Sequence, residues 1–213
     1  MSIRLIITHP GGAHKDDFLA CSLMASVHGV PIVRRDPSQQ ELDDPSICII
    51  DVGGRHEPEN NNFDHHQFPR DHKPTCALSL VLQHLGMYED AQMFCDWLEP
   101  AEWFDCRGPQ KTAAWLGVPR EVVGKLNSPI DISMLRRFAK ITPDSELHAG
   151  DPIYELMCYI GGDLLEYLKS VRSKLDSISA HVERWEVTSG GECFDVLFLP
   201  FLSNFVEFIT PNG

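Results

Sequence analysis

Three short runs of this 213-residue chain, Ile3-Arg4-Leu5-Ile6-Ile7, Pro31-Ile32-Val33-Arg34 and Ile47-Cys48-Ile49-Ile50-Asp51, are apolar almost throughout and do not alternate. A strand with one wet face alternates polar and apolar residues, so runs apolar on both sides belong to parallel strands covered above and below. The first run is followed by the turn-forming Pro10-Gly11-Gly12 and then by Phe18-Leu19-Ala20-Cys21-Ser22-Leu23-Met24-Ala25, which reads as a helix packed on one face. That is a strand, loop, helix unit. The predicted fold class is α/β, with a doubly wound, mainly parallel sheet. In such sheets ligands bind beyond the carboxyl ends of the strands, and His9 and Asp51 fall at two of those ends.

Residues 75–140 read as a helical middle, with one helix beginning at Ala77 past Pro74 and another over Asp90–Asp105. Pro109, Pro119 and Pro129 cut this region into short pieces. From Ile153 to Val182 apolar residues recur every three or four positions, which predicts one long helix. Gly161-Gly162 interrupts its pattern, a sign of close packing or a bend. The stripe could serve as a homodimer seam, although an apolar face laid on the same chain's core is the simpler reading. Arg184–Thr188 and Cys193–Phe198 suggest a hairpin around Gly190-Gly191, and Phe205–Ile209 a third strand. This predicts a metal-binding α/β domain with its helical region over 1–150. Residues 151–213 are then a long helix and a small C-terminal β unit, a truncated second domain by its abrupt ending.

The chain carries a formal charge of −13, which argues against a broad electrostatic grip on a nucleic-acid backbone. Its seven cysteines are odd in number and never spaced as C-x-x-C, so neither a disulfide framework nor a structural zinc site is indicated. No stretch approaches the roughly 18–20 apolar residues of a spanning helix, and the opening segment is too short and too soon charged for a signal peptide. A soluble, cytoplasmic protein that does not engage a membrane is expected.

Eight of the ten histidines lie in the first 84 residues. Four of them sit in two blocks, Thr8-His9-Pro10-Gly11-Gly12-Ala13-His14-Lys15-Asp16-Asp17 and Asp64-His65-His66-Gln67. A Gly-rich loop can turn His9, His14 and Asp16 toward one point, whereas a helix would spread that spacing around its circumference. Adjacent histidines in a loop have no obvious structural purpose. Together with Asp51 between the blocks, these nitrogen and oxygen donors suit divalent Mn, Fe or Zn. Asp51, central in the order of motifs, is the natural bridge between two ions.

The order THxxxxHxD, a strand ending DVGG, and then DHHQ resembles the DHH phosphoesterase superfamily, most closely its melanocyte-proliferating-gene branch. The likeness covers about the first 70 residues closely and the rest loosely. It implies that His9, His14 and Asp51 hold one ion, and that Asp16, Asp51 and His65 hold a second with one further aspartate. That aspartate would be Asp105, in Glu102-Trp103-Phe104-Asp105-Cys106-Arg107-Gly108, or alternatively Asp96. It also implies that His66 faces the substrate phosphate as charge stabiliser or proton donor, with Asp64 fixing an imidazole. Pro10, Lys15, Asp17 and the Asp105-Cys106-Arg107-Gly108 stretch depart from the branch's pattern without removing a donor.

The function so implied is a metal-dependent phosphoesterase. It would hydrolyse phosphodiester bonds of RNA 3′ ends or short nucleotides by two-metal activation of water, with two divalent ions, Mn first and Mg, Zn or Fe as alternatives. Arg70 and Lys73, nearest in sequence to His66, are the preferred phosphate-binding pair, with Arg34, Arg35 and Arg55 as further candidates. Two other readings remain open: a hydrolase of pyrophosphate or a cyclic dinucleotide, and a non-catalytic metal- or nucleotide-binding module.

Overall fold

The computed structural model describes residues 2–125 and 128–200. Six strands, β1 (Leu5–Thr8), β2 (Ile32–Arg34), β3 (Ile47–Ile50), β4 (His56–Glu57), β5 (Asn62–Phe63) and β6 (Glu146–Leu147), form one sheet in the order β4-β5-β3-β1-β2-β6. The four central strands run parallel, and the two-residue edges β4 and β6 are antiparallel to their neighbours. The apolar runs are buried on both faces as expected. Ile6, Ile32, Cys48 and Ile50 point into one core, while Ile7, Val33, Ile47 and Ile49 point into another. Each fully buried isoleucine is worth about 1.5–3 kcal/mol of transfer free energy.

Helices cover both faces of this mainly parallel sheet, but unequally. On one face lie α1 (Lys15–His28), α3 (Ala77–His84), α4 (Tyr88–Phe94), α5 (Leu98–Leu116), α7 (Pro129–Phe138) and the first half of α8 (Pro152–His181). The other core has one short helix, α2 (Gln39–Leu42), whose Leu42 packs over Ile7 and Ile49. The helix expected over Asp90–Asp105 is broken between Phe94 and Leu98. Helix α5 continues past Asp105 and kinks at Gly108-Pro109, where Gly108 takes φ 74°. A short helix α6 (Arg120–Gly124) follows.

Helix α8 runs unbroken through Gly161-Gly162, so the pair marks close packing and not a bend. A Cβ built on Gly161 would lie 2.2 Å from the carbonyl oxygen of Ser22, so only glycine lets α8 approach α1 this closely. Tyr154, Met157, Leu165 and Leu168 bury the same face. Two compact units result, Met1–Leu168 and Lys169–Gly213, with the division falling inside α8.

In the second unit β7 (Glu183–Ser189) and β8 (Glu192–Phe198) pair as an antiparallel hairpin. The expected strand at Phe205–Ile209 lies outside the described residues. No helix among the described residues is long and apolar enough to cross a membrane.

Candidate metal centre

Strand order reverses between β1 and β3, because β2 lies on one side of β1 and β3 on the other. The crevice at such a switch point is where open α/β sheets bind ligands. Register then aligns three donor residues. Thr8 pairs with Ile50 and Ile50 with Phe63, so His9, Asp51 and Asp64 each follow the last paired residue of adjacent strands. Asp51 sits at φ 59°, a left-handed conformation that costs a non-glycine residue roughly 1–2 kcal/mol. Held there, its backbone N–H donates to Phe63 O at 3.0 Å.

Helix α1 brings the second group. His14 is its N-cap and Asp16 and Asp17 stand in the first turn, where the helix dipole favours carboxylates. Asp17 Oδ1 accepts from the backbone N–H groups of His14 and Phe18. Its Oδ2 accepts from the buried Arg34 at 3.2 Å and lies 3.0 Å from His9 Nε2. Asp16, by contrast, is buried with no hydrogen-bond partner for either oxygen.

Asp105 on α5 closes the ring. His65 Nε2 lies 3.0 Å from Asp51 Oδ1 and 3.1 Å from Asp105 Oδ2, and His14 Nδ1 lies 3.6 Å from Asp105 Oδ1. Asp96 is exposed and outside every donor group. The donor atoms of His9, His14 and Asp51 come together within 4.8 Å, as do those of His14, Asp16 and Asp105, and those of Asp51, His65 and His66.

Electrostatics make this cluster costly by itself. Burial, then the charges of Asp51 and Asp105, push the Asp16 carboxyl well above the usual range, and burial also raises Asp51. Burial works against a charged His65, yet Asp105 and Asp51 drive it up to about 12. Burial likewise opposes ionisation of Asp105, but His65, helped by His14, holds it below the ordinary carboxylate value.

The residues fit divalent cations. Nε2 of His9, Nε2 of His65, Asp51 Oδ1 and both Asp16 oxygens are buried and close together, yet none has a hydrogen-bond partner. Leaving such groups unpaired costs about 1–3 kcal/mol each, more when charged, and an ion is what they jointly lack. The imidazoles are oriented for it. His9 Nδ1 donates to Pro10 O at 2.9 Å, which leaves its Nε2 lone pair facing the carboxylates.

His66 is placed differently. Asp64 Oδ1 accepts from His66 Nδ1 at 2.7 Å and from its backbone N–H at 3.1 Å, while Asp64 Oδ2 accepts from Gly54 N at 2.6 Å. These bonds hold Asp64 ionised against the effect of its burial. The ring is 65% exposed and its Nε2 is left for the cleft.

Above the donors opens a cleft of about 590 Å³. Phe68, His72, Arg70, Lys73 and Arg107 form part of its wall. Arg70 and Lys73 thus line the cleft. Arg35 is instead paired with Glu41 and Arg55 with Asp43. Arg34 is neither a phosphate ligand nor solvated: fully buried, it donates to Gly11 O, Gly12 O, Phe138 O and Asp17 and lies over the Phe138 ring. Sequence reasoning missed Asp17, Cys106 and Arg107 at this site. The spacing His14-x-x-Asp17, a capping-box spacing, was the available signal for the first. Nothing in the sequence marked the other two.

Residues 5–86 match the model of an uncharacterised protein family, UPF0160. The MYG1 exonuclease of Rattus norvegicus is 41% identical over 64 residues, which make up 28% of this chain and 16% of that protein. The MYG1 exonuclease of Homo sapiens is 39% identical over the same shares. The MYG1 protein of Chlamydia trachomatis serovar D is 32% identical over 98 residues, 45% of this chain and 28% of that protein. The alignments therefore span less than a third of these curated relatives. No solved structure matches the chain. The family match runs from β1 through α3 and stops before Asp105.

Proposed function

We propose that the chain is a metal-dependent phosphoesterase that hydrolyses phosphodiester bonds, its substrate an RNA 3′ end or a short nucleotide. The observation that carries this reading is the convergence of His9, His14, Asp16, Asp51, His65 and Asp105 at the sheet's switch point, where Nε2 of His9 and of His65, Asp51 Oδ1 and both Asp16 oxygens are buried and unpartnered. The exonuclease name of the partial relatives supports the same reaction class.

Two divalent ions held by these residues, with Asp51 shared, would supply Lewis acidity toward water and toward a phosphoryl oxygen. Mn is the first choice for this mixed imidazole and carboxylate set. The chain's own residues do the rest. Arg70, Lys73 and Arg107 orient the phosphate from the cleft wall. His66, kept in one tautomer by Asp64, turns Nε2 into the cleft, where it can hold a proton for the leaving oxygen. A cytoplasmic, reducing setting suits the seven free cysteines.

The test is hydrolysis of a chromogenic phosphodiester with Mn²⁺, followed by a comparison of short RNA with pyrophosphate. The wild-type chain should cleave the diester and prefer RNA. His66→Ala should lose about 10²–10⁴-fold in rate, as expected for a positioned proton donor, with two ions still bound. A chain that binds two ions and cleaves no diester would be a binding module, and preference for pyrophosphate would change the substrate class.

A further inference from the structure

Cys106 lies on α5, next to Asp105, and its thiol meets two other segments. Its Sγ–H donates to the backbone carbonyl of Thr75 at 3.2 Å, and Sγ lies 3.8 Å from His65 Nδ1. A thiol has one proton, and a carbonyl can only accept. The proton is therefore committed to Thr75, and Sγ offers His65 only a lone pair. His65 Nδ1 must be the donor, so in the neutral ring that would bind a cation the lone pair is on Nε2.

That Nε2 is the atom that faces Asp51 and Asp105, on a side chain only 9% exposed and with no hydrogen-bond partner of its own. The chain Nδ1–H to Sγ–H to Thr75 O does for His65 what Pro10 O does for His9. Direct ligation by the thiol is the competing arrangement, because His65, Asp105 and Cys106 also bring donor atoms within 4.8 Å. Yet Nε2 is the ring nitrogen beside Asp51 and Asp105, whereas Sγ lies by Nδ1, so an ion shared by the thiol and the imidazole would take Nδ1 and leave those carboxylates without the ring.

We propose that Cys106 is a positioning residue. As a protonated thiol relaying a hydrogen bond from His65 to the Thr75 carbonyl, it fixes the tautomer and ring angle with which His65 meets a divalent cation. The proposal rests on the metal reading of the site. Outer-shell partners of metal-bound histidines typically govern about 10–100-fold in metal affinity. A serine hydroxyl, with one donor and two acceptor lone pairs, can take the same place.

Calorimetric titration with Co²⁺ on the full chain tests it. Cys106→Ala should bind Co²⁺ about tenfold more weakly or worse, and Cys106→Ser should recover wild-type affinity. In the Zn²⁺-loaded protein, proton NMR should show an exchange-protected His65 Nδ1–H in the wild type and in Cys106→Ser, and none in Cys106→Ala. Equal affinity in wild type and Cys106→Ala would overturn the role. So would a thiolate-to-cobalt charge-transfer band in the wild type, which would make Cys106 a ligand. A wild-type chain that binds no Co²⁺ would instead remove the metal reading itself, and this role with it.

Discussion

Asp51 Oδ1 and His65 Nε2 lie 3.0 Å apart, buried, and neither makes a hydrogen bond. One atom comes from the end of a central strand and the other from the loop after β5. Their approach requires a charge between them or a proton on the imidazole, and Asp16 and Asp105 beside them favour positive charge at that point.

Asp51→Asn should therefore abolish binding of both ions, a larger loss than the roughly 10–100-fold of an outer-shell change. The metal-free fold should not be weakened. Asparagine tolerates the left-handed backbone at φ 59° and removes a carboxylate whose charged form burial disfavours. Metal analysis by mass spectrometry and a thermal melt read the two effects separately, and an ion that survives the change refutes the shared bridge.

The metal-free protein should lose stability as pH rises. Asp16 has a raised folded value, so its contribution is complete below the usual carboxylate range of about 4 and is lost as pH climbs through that folded value. His65 acts in the same direction: its contribution is whole below 6.5 and drains away toward about 12. Melting temperature should fall between about pH 5 and 9 without metal, and saturating Mn²⁺ should flatten the profile. A metal-free melting temperature that rises over this interval contradicts the assignment.

Removing Arg34 should cost more than any surface cation. Arg34→Met strips the buried Asp17 carboxylate of its arginine, leaving only its backbone N–H donors and His9 beside it, and frees the Gly11 and Gly12 carbonyls of the loop joining His9 to His14. Breaking a buried pair in this way typically costs about 3–5 kcal/mol, readable as a shift in urea midpoint. Arg70→Met, at the exposed rim, should shift it by no more than about 0.5 kcal/mol.

The two glycines of α8 should respond in opposite directions. Gly161→Ala drives a methyl against the Ser22 carbonyl and should destabilise by about 1–3 kcal/mol. Gly162, where a Cβ would meet nothing within 4 Å, should gain up to about 1 kcal/mol on Gly162→Ala. Urea denaturation of both variants distinguishes close packing at one position from a merely weak helix.

Much of the central sheet was legible because burial on both faces leaves a direct trace. Runs such as Ile47–Ile50 cannot be mistaken for half-wet strands, and β1, β2 and β3 lie within a residue or two of the expected spans. The edges were not legible. Strands β4, β5 and β6 have two residues each, too short to carry a period; β5 and β6 form on the ladders of the longer β3 and β2, and β4 adds to β5. The helix expected over Asp90–Asp105 failed for a related reason: apolar spacing continued through Cys95–Trp97 although the backbone did not.

By itself the sequence determined the donor inventory and the strand ends that carry it, because residue type and hydrophobic period are local properties. The ends of the apolar runs alone put His9 and Asp51 at the carboxyl edge. Only the tertiary structure decided which donors meet. It carried Asp105 on α5 to His65 and left Asp96 in solvent; it buried Arg34 as the brace of the His9–His14 loop and set Cys106 behind an imidazole. Those encounters depend on how α1 and α5 pack on the sheet. Helix packing is fixed by steric fit across residues far apart in the chain, such as Gly161 against Ser22, and spacing along the sequence does not encode that fit.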